Sequence, residues 1–268
     1  MRHIMAAVTG PNTSALALYC LLTAILIGVP VVTGSLLYPG EESFRDIWQH
    51  YAAIDALRDN IYAPQNPFVT TSDSSRHFHP FWLGAAVLAN ALGLSTFAIL
   101  GWVGVLSGVL LAVGIHAFAR AFSPSPSAPA VLLILITLGW SVQLPHTGFP
   151  TFVTLLYGIA YPATILIGLS LLLWAFIIRS FEKPLWLWAI IPLTTLMVTT
   201  HQLGAMIGLT VAGCFILCWP ETQIKARIQT ATAVTAGLAL AALWPYHNPY
   251  RLILAASGST WELSLIHI

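Results

Sequence analysis

The chain has 268 residues, 57% of them hydrophobic and 7% charged, with a mean hydropathy of +0.82 and a formal charge of +1. Soluble globular domains carry about 25% charged residues, so this composition excludes one. A near-neutral chain also offers no basic field for nucleic acid. Cys20, Cys214 and Cys218 all lie in apolar runs. An odd count buried in lipid builds no disulfide framework, and no His, Asp or further Cys completes a metal site beside Cys214 and Cys218, so all three read as packing residues.

The expected fold is an all-α polytopic membrane protein, with about seven transmembrane helices plus amphipathic outer-face helices in the first outer loop. Apolar runs of about 20 residues become spans because lipid offers a backbone amide no partner outside its own helix. The N-terminal run follows Arg2, exceeds the ~7–15 apolar residues of a signal peptide and lacks an A-x-A-like site, so residues 14–38 read as an uncleaved signal anchor. A long outer loop, about 39–96, comes next. In it "SFRDIWQHYAAIDALRDN" has helical periodicity: Phe44, Ile47, Tyr51, Ile54 and Leu57 form one apolar stripe. Ser43 is a candidate N-cap, while Asp46 and His50, four apart, are neighbours on another face. Asp55, Arg58 and Asp59 supply surface pairs, and the prolines of "YAPQNPF" end the helix. The sequence thus predicts an amphipathic helix along the outer membrane surface.

"HPFWLGAAVLANALGLS", residues 79–95, is apolar but short, and reads as a re-entrant or interfacial helix. Further spans are expected at about 97–119, 129–144, 162–179, 185–200, 203–219 and 229–245. With that alternation Arg2, Arg120, Arg179 with Lys183, and Lys225 with Arg227 fall on one side, which their positive charge marks as cytoplasmic. The expected location is therefore the plasma (inner) membrane, N-terminus inside and first long loop outside. No Asp, Glu, Lys or Arg lies in the middle of a span, whereas ion-coupled transporters bury such groups along their path. Glycines four apart in "GWVGVLSG" and "GAMIG" predict close helix approach.

Chemistry-bearing residues gather in the outer loop. Asp46 follows the first span closely, where water meets lipid headgroups, and a carboxylate there can take a proton from a hydroxyl acceptor. "SSRHFHPFW" adds Arg76, His77 and His79, groups able to hold a phosphate leaving group. His50, His201 in "VTTHQLG", His146 and Tyr157 are expected to face the same side.

An Asp just after the first span, an aromatic in "HY", a "Y-x-P" turn and "HP" leading into a short apolar helix resemble the GT-C glycosyltransferases. These polytopic enzymes include the protein O-mannosyltransferases and the lipid A aminoarabinose transferases. The resemblance covers the loop and the span layout through about residue 250. It implies a sugar donor linked to polyprenyl phosphate, used on the outer face of the membrane, with a lipid, glycan or protein acceptor. It implies that Asp46 is the catalytic Asp and that His79-Pro80 stands where many relatives have His-Pro-Pro. Ile47 follows Asp46 where relatives carry a second acid, and Phe81 replaces the second proline, which argues against assigning mannose or aminoarabinose. Glu41 and Glu42 are rival carboxylates. Catalysis is accordingly assigned to Asp46, and substrate binding to His50, Arg76, His77, His79 and His201. No cofactor is expected, no residue is assigned to a metal, and the partners are membrane lipids, donor and acceptor, without nucleic acid. The alternative is a non-enzymatic lipid or glycan transporter or flippase.

The last residues, "LSLIHI", match a translation of the sequencing-library adapter CTG TCT CTT ATA CAC ATC. Residues 263–268 are therefore set aside, and residues 1–262 are expected to be the N-terminal part of a longer GT-C-like transmembrane domain.

Overall fold

The computed structural model describes residues 13–37, 47–69, 75–139, 150–220 and 222–251. Those residues are all-helical, with no strand among them. In chain order the helices are α1 (Thr13–Leu36), α2 (Ile47–Asp59), α3 (Pro80–Leu92), α4 (Thr96–Phe122) and α5 (Ala128–Leu138). They continue with α6 (Phe152–Gly158), α7 (Pro162–Ser180), α8 (Pro184–Thr200), α9 (Gln202–Cys218) and α10 (Ile224–Ala241). Of these, α1, α4 and α7 are long and apolar enough to cross a membrane.

Local chemistry sets the helix ends. Ser95 caps α4 by accepting from the Ala98 N–H at 3.2 Å, and Thr151 caps α6 by accepting from the Thr154 N–H at 3.0 Å. Pro80 and Pro162 open α3 and α7, where a missing N–H costs nothing. Gly93, at φ 66°, ends α3 in the left-handed conformation that a side chain disfavours. In α1, Pro30 has no N–H to donate, and the turns on either side, 24–28 and 32–37, widen to π type. With 13 residues, α3 is about 20 Å long at the usual rise, short of the ~30 Å hydrocarbon core.

The spine is the packed pair α4 and α7. A Cβ on Gly114 would sit 2.6 Å from the Gly168 carbonyl oxygen, and one on Gly168 would sit 2.8 Å from the Leu110 carbonyl carbon. Only glycine permits backbones that close. The "GWVGVLSG" glycines serve the same purpose toward α1, where Gly101 and Gly104 face Ser35 and Gly108 faces Val31. In "GAMIG", Gly204 faces Leu166 and Gly208 faces Met197 and Ser170. On one flank of the spine a core of Tyr19, Leu111, Leu133 and Leu155 joins α1, α5 and α6 to it. On the other, Ile54, Trp82, Leu173, Met197 and Ala233 belong to a core that joins α2, α3, α8, α9 and α10. Some polar groups bridge helices: Trp174 Nε1 donates to the Gly208 carbonyl at 2.8 Å, and Thr195 Oγ1 to the Gly237 carbonyl at 2.9 Å.

Two expectations need correction. The cysteines do not pack between helices; Cys20, Cys214 and Cys218 are all exposed on the outer surface of theirs. In α2, His50 does not lie on a separate polar face. It is 7% exposed and buried alongside Ile47, Ala53, Ile54 and Leu57. The apolar stripe of α2 is covered by protein, chiefly Trp82, Ala85, Ala86 and Ala89 of α3. The polar side of α2 is tied down as well. Arg58 donates to Asn90 Oδ1 at 2.9 Å and to Thr96 Oγ1 at 2.7 Å, and Thr96 in turn donates to Asp55 Oδ1 at 2.6 Å. The expected Asp55–Arg58 pair is present at 3.9 Å.

Candidate functional site

Asp46, with Glu41, Glu42, Ser43 and His146, lies outside the described residues. Its chain neighbour Ile47 is the first residue of α2 and lines a small open cleft. Ser35 of α1, Leu100 of α4, Tyr157 of α6 and Tyr161 at the start of α7 line it too. Tyr161 also meets the ring of His50 edge-on at 5.1 Å, so the cleft borders a cluster of histidines.

That cluster is assembled from four separate stretches of chain. His50 comes from the middle of α2, and its ring is 5.8 Å from that of His77. Ser75 accepts from the backbone N–H of His77 at 3.2 Å and from that of Phe78 at 3.1 Å, forming the turn that presents both residues. Phe78 is buried, and His79, the residue before α3, is 2% exposed with its ring 4.8 Å from Trp82. His201 is the N-cap of α9. Arg76 stands exposed at the margin. The structure thus brings together His50, Arg76, His77, His79 and His201, all named from the sequence.

It adds His247, which the sequence did not single out. His247 follows α10, is 4% exposed and meets Gln202 at 3.2 Å. Its neighbours hold the segment in place: Trp244 Nε1 donates to the Phe78 carbonyl at 2.8 Å, and the Tyr246 hydroxyl to the Ile61 carbonyl at 2.5 Å. No local signal marks His247, because Gln202 lies 45 positions away and the carbonyls that hold its neighbours Trp244 and Tyr246 lie 166 and 185 positions from them. Trp82 and Tyr161 were missed for the same reason.

Hydrogen bonding fixes which ring nitrogens carry protons. The Trp82 indole N–H donates to His50 Nδ1 at 3.3 Å, the Gly204 backbone N–H to His201 Nδ1 at 3.1 Å, and the Gln202 amide nitrogen faces His247 Nε2. Indole, backbone and amide nitrogens only donate. Each of these imidazoles, when neutral, must therefore carry its proton on the other nitrogen: Nε2 in His50 and His201, Nδ1 in His247. His79 has no partner at either nitrogen, and His247 none at Nδ1. Buried polar atoms in folded proteins are almost always paired, so these are the anomaly of the site.

Electrostatics keeps the cluster neutral. Burial first, then the charges that His77, His201 and Arg76 carry or would carry, holds His50 well below the ordinary histidine range. His79 is held well below it by burial and by His50, His77, His247 and His201. Burial, then Arg76, His247 and His201, brings His77 down to about 4. Burial alone brings His247 to about 4, and His201 is lowered by burial and Arg76. At neutral pH the cluster is therefore an array of uncharged N–H donors beside one exposed guanidinium. Such donors are less expensive to desolvate than imidazolium ions and still bind an anion. No three His, Cys, Asp or Glu side chains among the described residues stand close enough together to hold a metal ion.

Searches against protein-family models, curated proteins and solved structures found no match. Function must be argued from the site itself.

Proposed function

We propose that the protein is an integral-membrane glycosyltransferase of the GT-C type. It moves a sugar from a polyprenyl-phosphate donor to a lipid, glycan or protein acceptor on the outer face of the membrane. The observation that carries this proposal is the buried array of neutral imidazole N–H donors, with His79 unpartnered, next to the start of α2. Arg76 at its margin adds a charge suited to a phosphate.

The chemistry follows from those groups. Asp46, one residue before α2, accepts the proton of the acceptor hydroxyl. The oxygen attacks the anomeric carbon, the bond from that carbon to the phosphate oxygen breaks, and its electron pair stays on the phosphate. The imidazole N–H groups and Arg76 meet the charge that develops there, where low dielectric makes each hydrogen bond count for more.

The proposed topology has seven spans, α1, α4, the run of about 129–144 to which α5 belongs, α7, α8, α9 and α10, with the histidines outside. It is supported by the gathering of Arg120, Arg179, Lys183 and Arg227 at the opposite end, as expected for a cytoplasmic face. Trp219 is the link: its ring lies 5.9 Å from Phe122 of α4, and Arg227 donates to its carbonyl.

The deciding assay is sugar transfer in membranes with labelled lipid-linked sugar. Asp46→Asn is expected to lower the rate by about 100-fold or more, the usual range for removing a positioned base. Undiminished transfer by a well-expressed variant would remove Asp46 from the mechanism. Flipping of lipid-linked sugar in proteoliposomes without any transfer would replace the transferase by a flippase.

A further inference from the structure

The mechanism above counts His247 among the imidazole donors without giving it a contact of its own, yet its surroundings constrain it closely. The Gln202 amide faces its Nε2 at 3.2 Å, which leaves its proton on Nδ1. Nδ1 is buried and has no partner. The segment carrying it is clamped by Trp244 to the Phe78 carbonyl, one residue from His79, whose own two nitrogens are also without partners. The titration of His77 and of His79 both feel His247, which places it within electrostatic reach of each. A buried donor oriented by a dedicated amide, on a segment fixed from two sides, is built to meet an acceptor.

We infer that the Nδ1–H of His247 donates a hydrogen bond to the phosphate of the prenyl-linked donor, with Gln202 as the positioning residue that fixes its tautomer. This rests on the proposal that the site takes a phosphate. The chemistry it adds is specific: the segment after α10 contributes to donor recognition, and it does so through one ring nitrogen.

Two isosteres separate that role from a structural one. Asn places an N–H where the ring carries Nδ1 and loses the reach to Gln202. Gln reaches toward Gln202 and loses the donor at the δ position. The full chain, in lipid nanodiscs, is titrated with neryl phosphate and with nerol, the same prenyl chain without phosphate. The wild-type protein is expected to prefer the phosphate by about tenfold or more. His247→Gln is expected to weaken neryl phosphate by about tenfold and leave nerol unchanged, while His247→Asn stays within about threefold of wild type.

If His247→Gln binds like wild type and His247→Asn is the weakened one, His247 is a strut for Gln202 and the inference falls. The phosphate site would survive that result, because the wild-type preference would stand. If the wild-type protein does not distinguish neryl phosphate from nerol, the phosphate site and the inference fall together. Should either His247 variant not fold, Gln202→Leu takes its place, since it frees the tautomer with His247 intact. A weakening of about threefold for neryl phosphate alone supports the inference there, and unchanged binding overturns it.

Discussion

The two ends of the helix bundle solve the problem of polar groups in an apolar protein in opposite ways. At the arginine end, every described cation has an ordinary structural use or stands in solvent. Arg227 donates to the carbonyls of Ile216, Leu217 and Trp219, which are the ones α9 leaves unpaired at its C-terminus. Arg120 donates to the carbonyls of Pro124 and Ser125, and Arg179 lies 5.4 Å over the Trp186 ring. At the histidine end the groups are buried, uncharged and partly unpaired. Charge with partners at one end ties helix ends together; at the other, buried ring nitrogens of His79 and His247 have no partner, which is the basis of the ligand site proposed above. On the proposed reading, the first end serves stability and the second serves function.

That contrast can be broken by experiment. Arg227→Ala removes the donor to four carbonyls at once, that of Thr222 included, and is expected to destabilise the protein by about 3 kcal/mol, measured by unfolding in detergent, with prenyl-phosphate binding unchanged. A large loss of binding in that variant would mean that the two ends are coupled. His79→Leu should do the reverse. It is expected to weaken neryl phosphate about 30-fold, yet leave unfolding unchanged or raise stability by about 1 kcal/mol, because two unpartnered buried nitrogens disappear. A destabilised His79→Leu that still binds would show that the histidine is structural.

Acid provides a titratable version of the same test. His77 and His247 titrate near 4 when folded, against 6.5 ordinarily. Between those values the unfolded chain takes up protons that the folded chain refuses. Their contribution is therefore fully present above pH 6.5, is lost as pH falls toward 4, and does not change further below it. Thermal unfolding of the wild type should shift down across that window, and a double variant His77→Phe/His247→Phe should show a flatter profile. An equally steep profile in the double variant would place the acid sensitivity elsewhere. The smallest effect is expected at Arg120→Ala, below about 1 kcal/mol, because its two carbonyl partners are exposed and water replaces the guanidinium.

Much of the fold was legible because lipid imposes a simple rule. The expected runs 14–38, 97–119 and 162–179 correspond to α1, α4 and α7 within a few residues. The charged helix after the first span and the short apolar helix after it are present as α2 and α3. The glycines of "GWVGVLSG" and "GAMIG" pack as expected, since small residues four apart leave few other uses for a helix face. The orientation of α2 was not legible. Its period marked a stripe, but a stripe does not say whether lipid or protein covers it, and α3 covers it here. The cysteines failed for the same reason, because an apolar run has an inner and an outer face that hydropathy does not distinguish.

By itself the sequence determined that the chain is helical and membrane-compatible, and that its Asp, Glu, Lys and Arg residues collect away from the middle of the apolar runs. Both follow from the cost of unpaired amides and charges in hydrocarbon, which acts on each segment separately. Only the tertiary structure decided that His50 faces inward and that His247 joins the cluster across most of the chain. It also decided which ring nitrogen each imidazole keeps protonated. For His50 and His247 those properties depend on single donors, Trp82 of α3 and Gln202 of α9, that lie 32 and 45 positions away, and a hydrogen bond between distant residues leaves no periodic trace in the sequence.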